Sequence, residues 1–129
     1  MSHKSKGINA ERELIHAFWN NSWSAVRIAG SGSSRYPSPD VLAGNGSRRI
    51  AIECKASKDT AKYLTAKEVG ELQTFAELFG AEAWIGMRFD DMKWYFLSLE
   101  DLKASGKSFS VSIELAKKKG LKFEELIEI

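Results

Sequence analysis

The sequence has few of the residues that small proteins use for covalent or metal cross-links. It contains one cysteine, Cys54, so no internal disulfide can form. The two histidines have no cysteine or histidine partner at zinc-site spacing. A single thiol fits a reducing compartment. We interpret Cys54 as a small buried hydrophobe beside the candidate site, not as a nucleophile.

Long apolar runs are also missing. No run approaches the ~18 residues of a membrane-spanning helix. The first six residues are polar and basic, and no apolar segment resembling a signal peptide follows them. With 43% hydrophobic and 28% charged residues, the composition is that of a globular protein. We expect a single cytoplasmic domain over residues 1–129, with a flexible basic arm at residues 1–7.

The net charge is small but unevenly distributed. Residues 1–60 carry nine Lys and Arg against five Asp and Glu, whereas residues 61–129 carry ten against twelve. This asymmetry favours a polyanionic partner for the N-terminal half. The alternative is an ordinary surface on which the asymmetry arose by chance.

Two short strands are predicted near the middle of the chain. The segments PDVLA at residues 39–43 and IAIECK at residues 50–55 flank an Asn-Gly dipeptide at residues 45–46, a strong hairpin-turn signal. Because side chains alternate along a strand, one face of the second strand is apolar. The residues of this core face are Ile50, Ile52 and Cys54.

The other face of the second strand carries charge. Glu53 and Lys55 lie side by side there, close to Asp40 at the start of the first strand. Two carboxylates and a lysine at strand ends can hold a divalent cation against a phosphate. The alternative is an exposed Glu–Lys pair on an edge strand.

Residues 8–20 have a helical pattern that includes one inward-directed acid. Glu11 falls in the middle of the apolar arc, whereas Glu13 falls on the opposite side. An inward carboxylate is costly without a partner, so Glu11 is a candidate site residue unless it reaches water at the edge of the arc. The apolar arc consists of Ile8, Leu14, Ile15 and Phe18.

Residues 23–29 read as a strand, with Val26 and Ile28 inward and Arg27 on the other face. A loop at residues 30–39 follows, with two glycines, four serines and two prolines. Such a loop is either a disordered connector or a loop that grips substrate. Its backbone donors, its hydroxyls and Arg35 suit phosphate oxygens.

The rest of the chain predicts an α/β domain with a mixed sheet. After a polar, loop-like segment at residues 56–64, Thr65 and Glu68 form a capping box that opens a helix ending at Phe79 and Gly80. Strands are predicted at 81–89 and 93–99, a helical turn at 100–103, an extended segment at 108–112, and helices at 113–119 and 123–128.

Four segments together resemble the archaeal Holliday junction resolvases, members of the restriction-endonuclease-like PD-(D/E)xK superfamily. They are GxxAEREL at residues 7–14, RxxGS at 27–31, PDVLA at 39–43 and IECK at 52–55. The resemblance covers about residues 7–99 and extends to the C-terminal tail. It implies a restriction-endonuclease-like fold, with a central mixed five-stranded sheet flanked by helices.

The resemblance also implies a homodimeric endonuclease that nicks four-way DNA junctions symmetrically during recombination and repair, using Mg²⁺ with Mn²⁺ as a substitute. Asp40 and Glu53 would bind the metal, and Glu11 would do so directly or through water. Lys55 would orient the attacking water, and the Ser31 loop would close on the strand being cut. The implied DNA-binding residues are Arg12, Arg27, Arg35 and Ser33.

Two other functions remain open at this stage. One is a nuclease of the same superfamily that cuts duplex DNA, and the other is a non-catalytic DNA-binding subunit on the same fold. We expect the protein to act with the nucleoid. Other recombination proteins are possible partners that the sequence does not identify.

A surplus of apolar residues late in the chain predicts a dimer interface of roughly 1,500 Å² or more. The alternative is that these residues fill the core of one subunit. They are Trp84, Trp94, Phe96, Leu97, Phe123, Leu126 and Ile127.

Overall fold

A computed structural model describes residues 3–30 and 35–129. The helices are α1 (His3–Asn20), α2 (Ala66–Phe79), α3 (Ile113–Lys119) and α4 (Phe123–Leu126), with a 3₁₀ turn at Leu99–Asp101. The strands are β1 (Ser24–Arg27), β2 (Val41–Gly44), β3 (Arg49–Ser57), β4 (Ala61–Thr65), β5 (Glu82–Phe89), β6 (Tyr95–Ser98), β7 (Lys103–Ser105) and β8 (Ser108–Ser112). No helix in this described part is long and apolar enough to cross a membrane.

A five-stranded sheet with the order β1-β2-β3-β5-β6 forms the centre of the molecule. Strands β3 and β5 are parallel, and the other neighbouring pairs are antiparallel. The β2–β3 turn is the predicted hairpin. The Asn45 side chain accepts hydrogen bonds from the backbone N–H of Ser47 and Arg48, and Gly46 takes a positive φ of 95°. The prediction of a mixed five-stranded sheet flanked by helices is confirmed.

Strand β3 is buried on both faces. Ile50 and Ile52 pack with Leu14 and Phe18 of α1 in one core. Ala51 packs with α2 and with the second sheet in the other core. Since side chains alternate, Glu53 and Lys55 continue the face of Ala51 toward the carboxyl end of β3. This end of the strand is where the candidate site lies.

Helix α1 begins at His3, five residues earlier than predicted, so most of the segment expected as a basic arm has a helical backbone. Lysine at positions 4 and 6 favours helix, and no proline interrupts this segment. The predicted phase of the helix is confirmed. Leu14 and Phe18 are buried, Glu11 is half-buried and Glu13 is exposed.

The predicted facing of β1 is wrong by one residue. Val26 is 56% exposed, whereas Ala25 is buried. The register explains the difference: Ala25 is opposite Ala43 and Arg27 is opposite Val41, and both partners face the α1 core. Arg27 therefore points inward, toward the carboxylate of Glu11.

Residues 56–64, expected to be a loop, are largely strand. Strand β3 continues to Ser57, and β4 pairs with β8, which pairs in turn with β7 in a three-stranded sheet. Strand β7 also replaces the end of the helical turn expected at residues 100–103. Strand β4 forms because it pairs with β8, far away in the sequence, whereas β7 pairs with β8 across the short turn at residues 106–107.

Most of the late apolar residues that were predicted to form a dimer interface are buried within one chain. Trp94, Phe96, Leu97 and Leu126 are buried in one chain, the first at 8% exposed and the others at 0%. The remaining members of the predicted interface are half-buried against the α1 core; they are Trp84, Phe123 and Ile127. The prediction of an interface is wrong for the four buried residues, because they fill the core of one chain.

Candidate active site

Asp40 is fixed between two strands at the entry to β2. Its backbone N–H donates to the carbonyl of Ile52 at 3.0 Å, and its carbonyl accepts from the N–H of Ile28 at 2.8 Å. Its Oδ2 accepts from the backbone N–H of Cys54 at 2.8 Å. The side chain is therefore held against the carboxyl-terminal half of β3, beside Glu53.

Glu53 is half-buried next to a second carboxylate. Burial, followed by the charge of Asp40, raises the pKa of Glu53 to about 8, and a hydrogen bond with Asp40 adds to the increase. The positive charge of Lys55 opposes these effects. Without a cation, Glu53 is therefore mostly protonated at neutral pH, and a bound cation would take the place of that proton.

Lys55 lies between two carboxylates. Its Nζ is 2.6 Å from Glu68 Oε2 and 3.7 Å from Glu53 Oε2. Burial disfavours the ammonium ion, but Glu68 foremost, then Glu53 and Asp40, outweigh it and raise the pKa of Lys55. Lys55 is therefore a stable cation at the edge of the carboxylate pair.

Glu68 is the site residue that sequence reasoning missed. Its backbone N–H donates to Thr65 Oγ1 at 3.0 Å, so the predicted N-cap of α2 is confirmed. The capping-box pattern, however, assigned its carboxylate to the helix end, whereas the structure turns it to Lys55. No sequence signal marks this contact, since it depends on how α2 packs against β3.

Glu11 reaches the site region from α1 and is paired. Arg27 Nε donates to Glu11 Oε1 at 3.2 Å. Burial and the charge of Asp40 raise the pKa of Glu11, and Arg27 partly offsets them. Glu13 by contrast is 65% exposed in its side chain, where it pairs with Arg88 on the surface.

Cys54 has the properties of a packing residue. It packs against the α1 core. Burial raises the pKa of its thiol well above the ordinary value, and the charges of Asp40, Glu11 and Glu53 add to the increase. A thiol that stays protonated is a poor nucleophile.

The predicted DNA-binding residues occupy different environments. Arg12 and Arg35 are exposed, and the Arg35 guanidinium lies 5.7 Å from the centre of the Tyr36 ring. Arg27 is half-buried in its pair with Glu11. Ser31 and Ser33 lie outside the described residues.

The donor chemistry fits Mg²⁺. Asp40 and Glu53 offer two adjacent carboxylates, hard oxygen ligands whose repulsion a divalent cation would relieve. Within residues 3–30 and 35–129, no three His, Cys, Asp or Glu side chains are gathered closely enough to form a complete metal cluster. Mg²⁺ needs only one or two carboxylates, since water and substrate phosphate complete its shell.

Comparisons with known proteins identify relatives of this chain. The family description "Archaeal holliday junction resolvase (hjc)" matches residues 2–129. The crossover junction endodeoxyribonuclease Hjc of Archaeoglobus fulgidus is 40% identical over 95% of both chains. That of Methanocaldococcus jannaschii is 29% identical over 98% of this chain and 91% of its own.

A solved structure shows the same fold. The 1.6 Å structure of Archaeoglobus fulgidus Hjc, titled a Holliday junction resolvase from an archaeal hyperthermophile, superposes with a TM-score of 0.86 at 38% identity. The match covers 93% of this chain and 98% of that one. The mixed five-stranded sheet is thus the restriction-endonuclease-like fold. Sequence, fold and site geometry lead to one conclusion: this chain belongs to the archaeal Holliday junction resolvase family.

Proposed function

We propose that this protein is a crossover junction endodeoxyribonuclease that resolves four-way DNA junctions by Mg²⁺-dependent phosphodiester hydrolysis during recombination and repair. The observation that carries the proposal is the Asp40–Glu53 carboxylate pair with Lys55 beside it, on the fold of a named resolvase. It would act on DNA in the cytoplasm, with the nucleoid.

Asp40 and Glu53 would hold the cation, which supplies Lewis-acid polarisation of the scissile phosphate and a lower pKa of bound water. Mn²⁺ would substitute for it. The backbone N–H of Cys54 keeps the Asp40 carboxylate oriented. Lys55 would orient the attacking water and stabilise the negative charge that develops on the phosphate. Glu11 would contribute directly or through water, in the orientation set by Arg27.

DNA binding would be largely electrostatic. Arg12 and Arg35 are exposed and free to approach phosphates of the junction. The hydroxyl groups of Ser31 and Ser33 would contact the strand to be cut. Cationic contacts to phosphates select by the shape of the backbone and weaken with salt.

We further infer that the protein acts as a homodimer. One active site cannot cut two opposed strands together, and a C2 dimer presents two equivalent sites to a junction with two-fold symmetry. Since the late aromatic residues are buried, exposed apolar residues at the end of α2 are the better interface. Leu78 is 85% exposed and Phe79 is 49% exposed, stacked on Phe75 at 5.3 Å.

The test is incubation of the protein with a labelled four-way junction, with and without Mg²⁺, beside a linear duplex of the same sequence. We expect cleavage of the junction that needs Mg²⁺. Asp40→Asn, Glu53→Gln and Lys55→Ala should each lower the cleavage rate by at least about 100-fold. Junction binding should stay nearly intact, because it rests on the arginines.

Glu13→Gln is the matched control, since it removes a carboxylate from the exposed side of α1 and should leave the rate unchanged. Wild-type cleavage by any of the three site variants would refute the site assignment. Equal cleavage of junction and duplex would favour a duplex endonuclease instead.

A further inference from the structure

The nearest carboxylate to Lys55 lies outside the motif that defines the superfamily. Glu68 on α2 is 2.6 Å from Lys55 Nζ, whereas Glu53, two residues before Lys55 on β3, is 3.7 Å away. The lysine at the reaction centre is therefore held mainly by a helix that follows the catalytic strand.

The fold fixes both members of this pair. Thr65 ends β4 and caps α2, which sets the position of Glu68 in the first turn of the helix. Val69 is buried in the same core as Ala51, which shares a face of β3 with Lys55. The backbones that carry Glu68 and Lys55 are therefore fixed relative to one another by packing. Side-chain exposures of 33% and 21% show that the pair is partly shielded from water.

The contact with Glu68 sets the position of the Lys55 ammonium group. Without Glu68, the Glu53 carboxylate at 3.7 Å would be the nearest anion. A lysine that moved onto Glu53 would neutralise the carboxylate needed for the cation and would give up its own position at the substrate phosphate. With Glu68 present, Lys55 stays charged and to one side of the carboxylate pair.

We propose that Glu68 is a positioning residue that holds Lys55 beside the Asp40–Glu53 pair and keeps it from closing on Glu53. The ion pair can be tested without substrate. The expected effect of the Lys55–Glu68 pair on DNA cleavage rests on the proposed nuclease function.

The first experiment uses metal-free, DNA-free protein. Glu68→Gln removes the charge and keeps the shape of the side chain. The matched control is Glu71→Gln on the same helix, because Glu71 pairs with the exposed Lys67 at 3.8 Å, away from the carboxylate pair. In a crystal structure of Glu68→Gln, Lys55 Nζ should lie within hydrogen-bond distance of the Glu53 carboxylate instead of 3.7 Å from it. Glu71→Gln should keep Lys55 on Glu68. A Lys55 side chain that keeps its wild-type position in Glu68→Gln would overturn the proposal.

The second experiment measures junction cleavage and binding. Glu68→Gln should lower the single-turnover rate at saturating protein about 10- to 100-fold while junction affinity changes less than about two-fold. Glu68→Ala should behave the same way, and thermal melting confirms that both variants fold. A rate equal to that of Glu71→Gln, or a faster rate than wild type, would overturn the positioning role. Failure of the wild type to cleave would instead refute the proposed function, and the position of Lys55 in Glu68→Gln would still decide the role of the ion pair.

Discussion

At the scale of single residues, the site is a set of charges that neutralise one another. Glu11 is paired with Arg27, Lys55 with Glu68, and Glu53 shares a hydrogen bond with Asp40. Partly buried charges are tolerated only when they have such partners. The Asp40–Glu53 pair differs from these ion pairs, because two carboxylates of the same charge lie side by side. A proton or a cation would relieve the repulsion between these carboxylates, and we propose that the metal binds at this point.

This exception predicts a pH-dependent stability for the metal-free protein. Glu53 has a pKa of about 8 when folded and 4.5 ordinarily, so between these values the folded chain holds a proton that the unfolded chain has lost. The stability that the bound proton of Glu53 contributes is fully present below pH 4.5 and is lost as the pH rises toward 8. Urea unfolding should show a decrease of at most about 5 kcal/mol, which Glu53→Gln abolishes. Glu13→Gln should keep the wild-type slope, and an unchanged slope in Glu53→Gln would contradict the assigned pKa.

The same linkage predicts the effect of the metal. Because a carboxylate must lose its proton to bind a cation, Mg²⁺ should raise the melting temperature of the wild type more at pH 8 than at pH 6. Asp40→Asn should respond weakly at both pH values, since it removes one of the two ligands. A differential scanning measurement in which Asp40→Asn gains as much as the wild type would argue against the site.

At the scale of elements, the close packing of β5 against the catalytic strand gives a further prediction. A Cβ at Gly86 would lie 3.1 Å from Ile52, 3.2 Å from Phe96 and 3.3 Å from Trp94. Gly86→Ala should therefore destabilise the protein by about 1–3 kcal/mol, since these neighbours are themselves packed. Gly70→Ala on exposed α2, with no atom of the described chain within 4 Å of the new methyl group, should stabilise it by about 0.5–1 kcal/mol. Thermal unfolding of the two variants would show shifts of opposite sign.

Sequence patterns predicted elements that are defined locally. The β2–β3 hairpin has its own turn dipeptide, and α2 has a cap at each end, Thr65 and Gly80, the latter with a φ of +83°. The proximity of Asp40, Glu53 and Lys55 could be predicted because these residues lie on or next to that hairpin. Features set by distant partners could not be identified, namely the facing of β1, the existence of β4, and the contact of Glu68 with Lys55.

At the scale of the whole molecule, the distribution of apolar residues separates core from interface. The late aromatic residues looked excessive for one sheet, yet two cores, one on each face of the sheet, accommodate them. An apolar residue late in the sequence is thus no guide to an interface until the number of layers is known. Exposure in the folded chain is the better guide, and it points to the end of α2.

The last prediction concerns assembly through that helix. Leu78→Glu places a charge on a side chain that is 85% exposed in the single chain, so it should leave the fold and the carboxylate pair intact. In a dimer of roughly 1,500 Å² interface, a buried unpaired charge should shift the equilibrium to monomers. Tyr63→Glu on β4, where Tyr63 is 67% exposed, is the control for an apolar-to-charged change elsewhere. Sedimentation at micromolar concentration should give a dimer for the wild type and for Tyr63→Glu, and a monomer for Leu78→Glu. On a supercoiled plasmid with an extruded cruciform, the monomer should accumulate singly nicked circles where the dimer gives linear product. A wild-type monomer at micromolar concentration would refute the dimer and, with it, the paired cut.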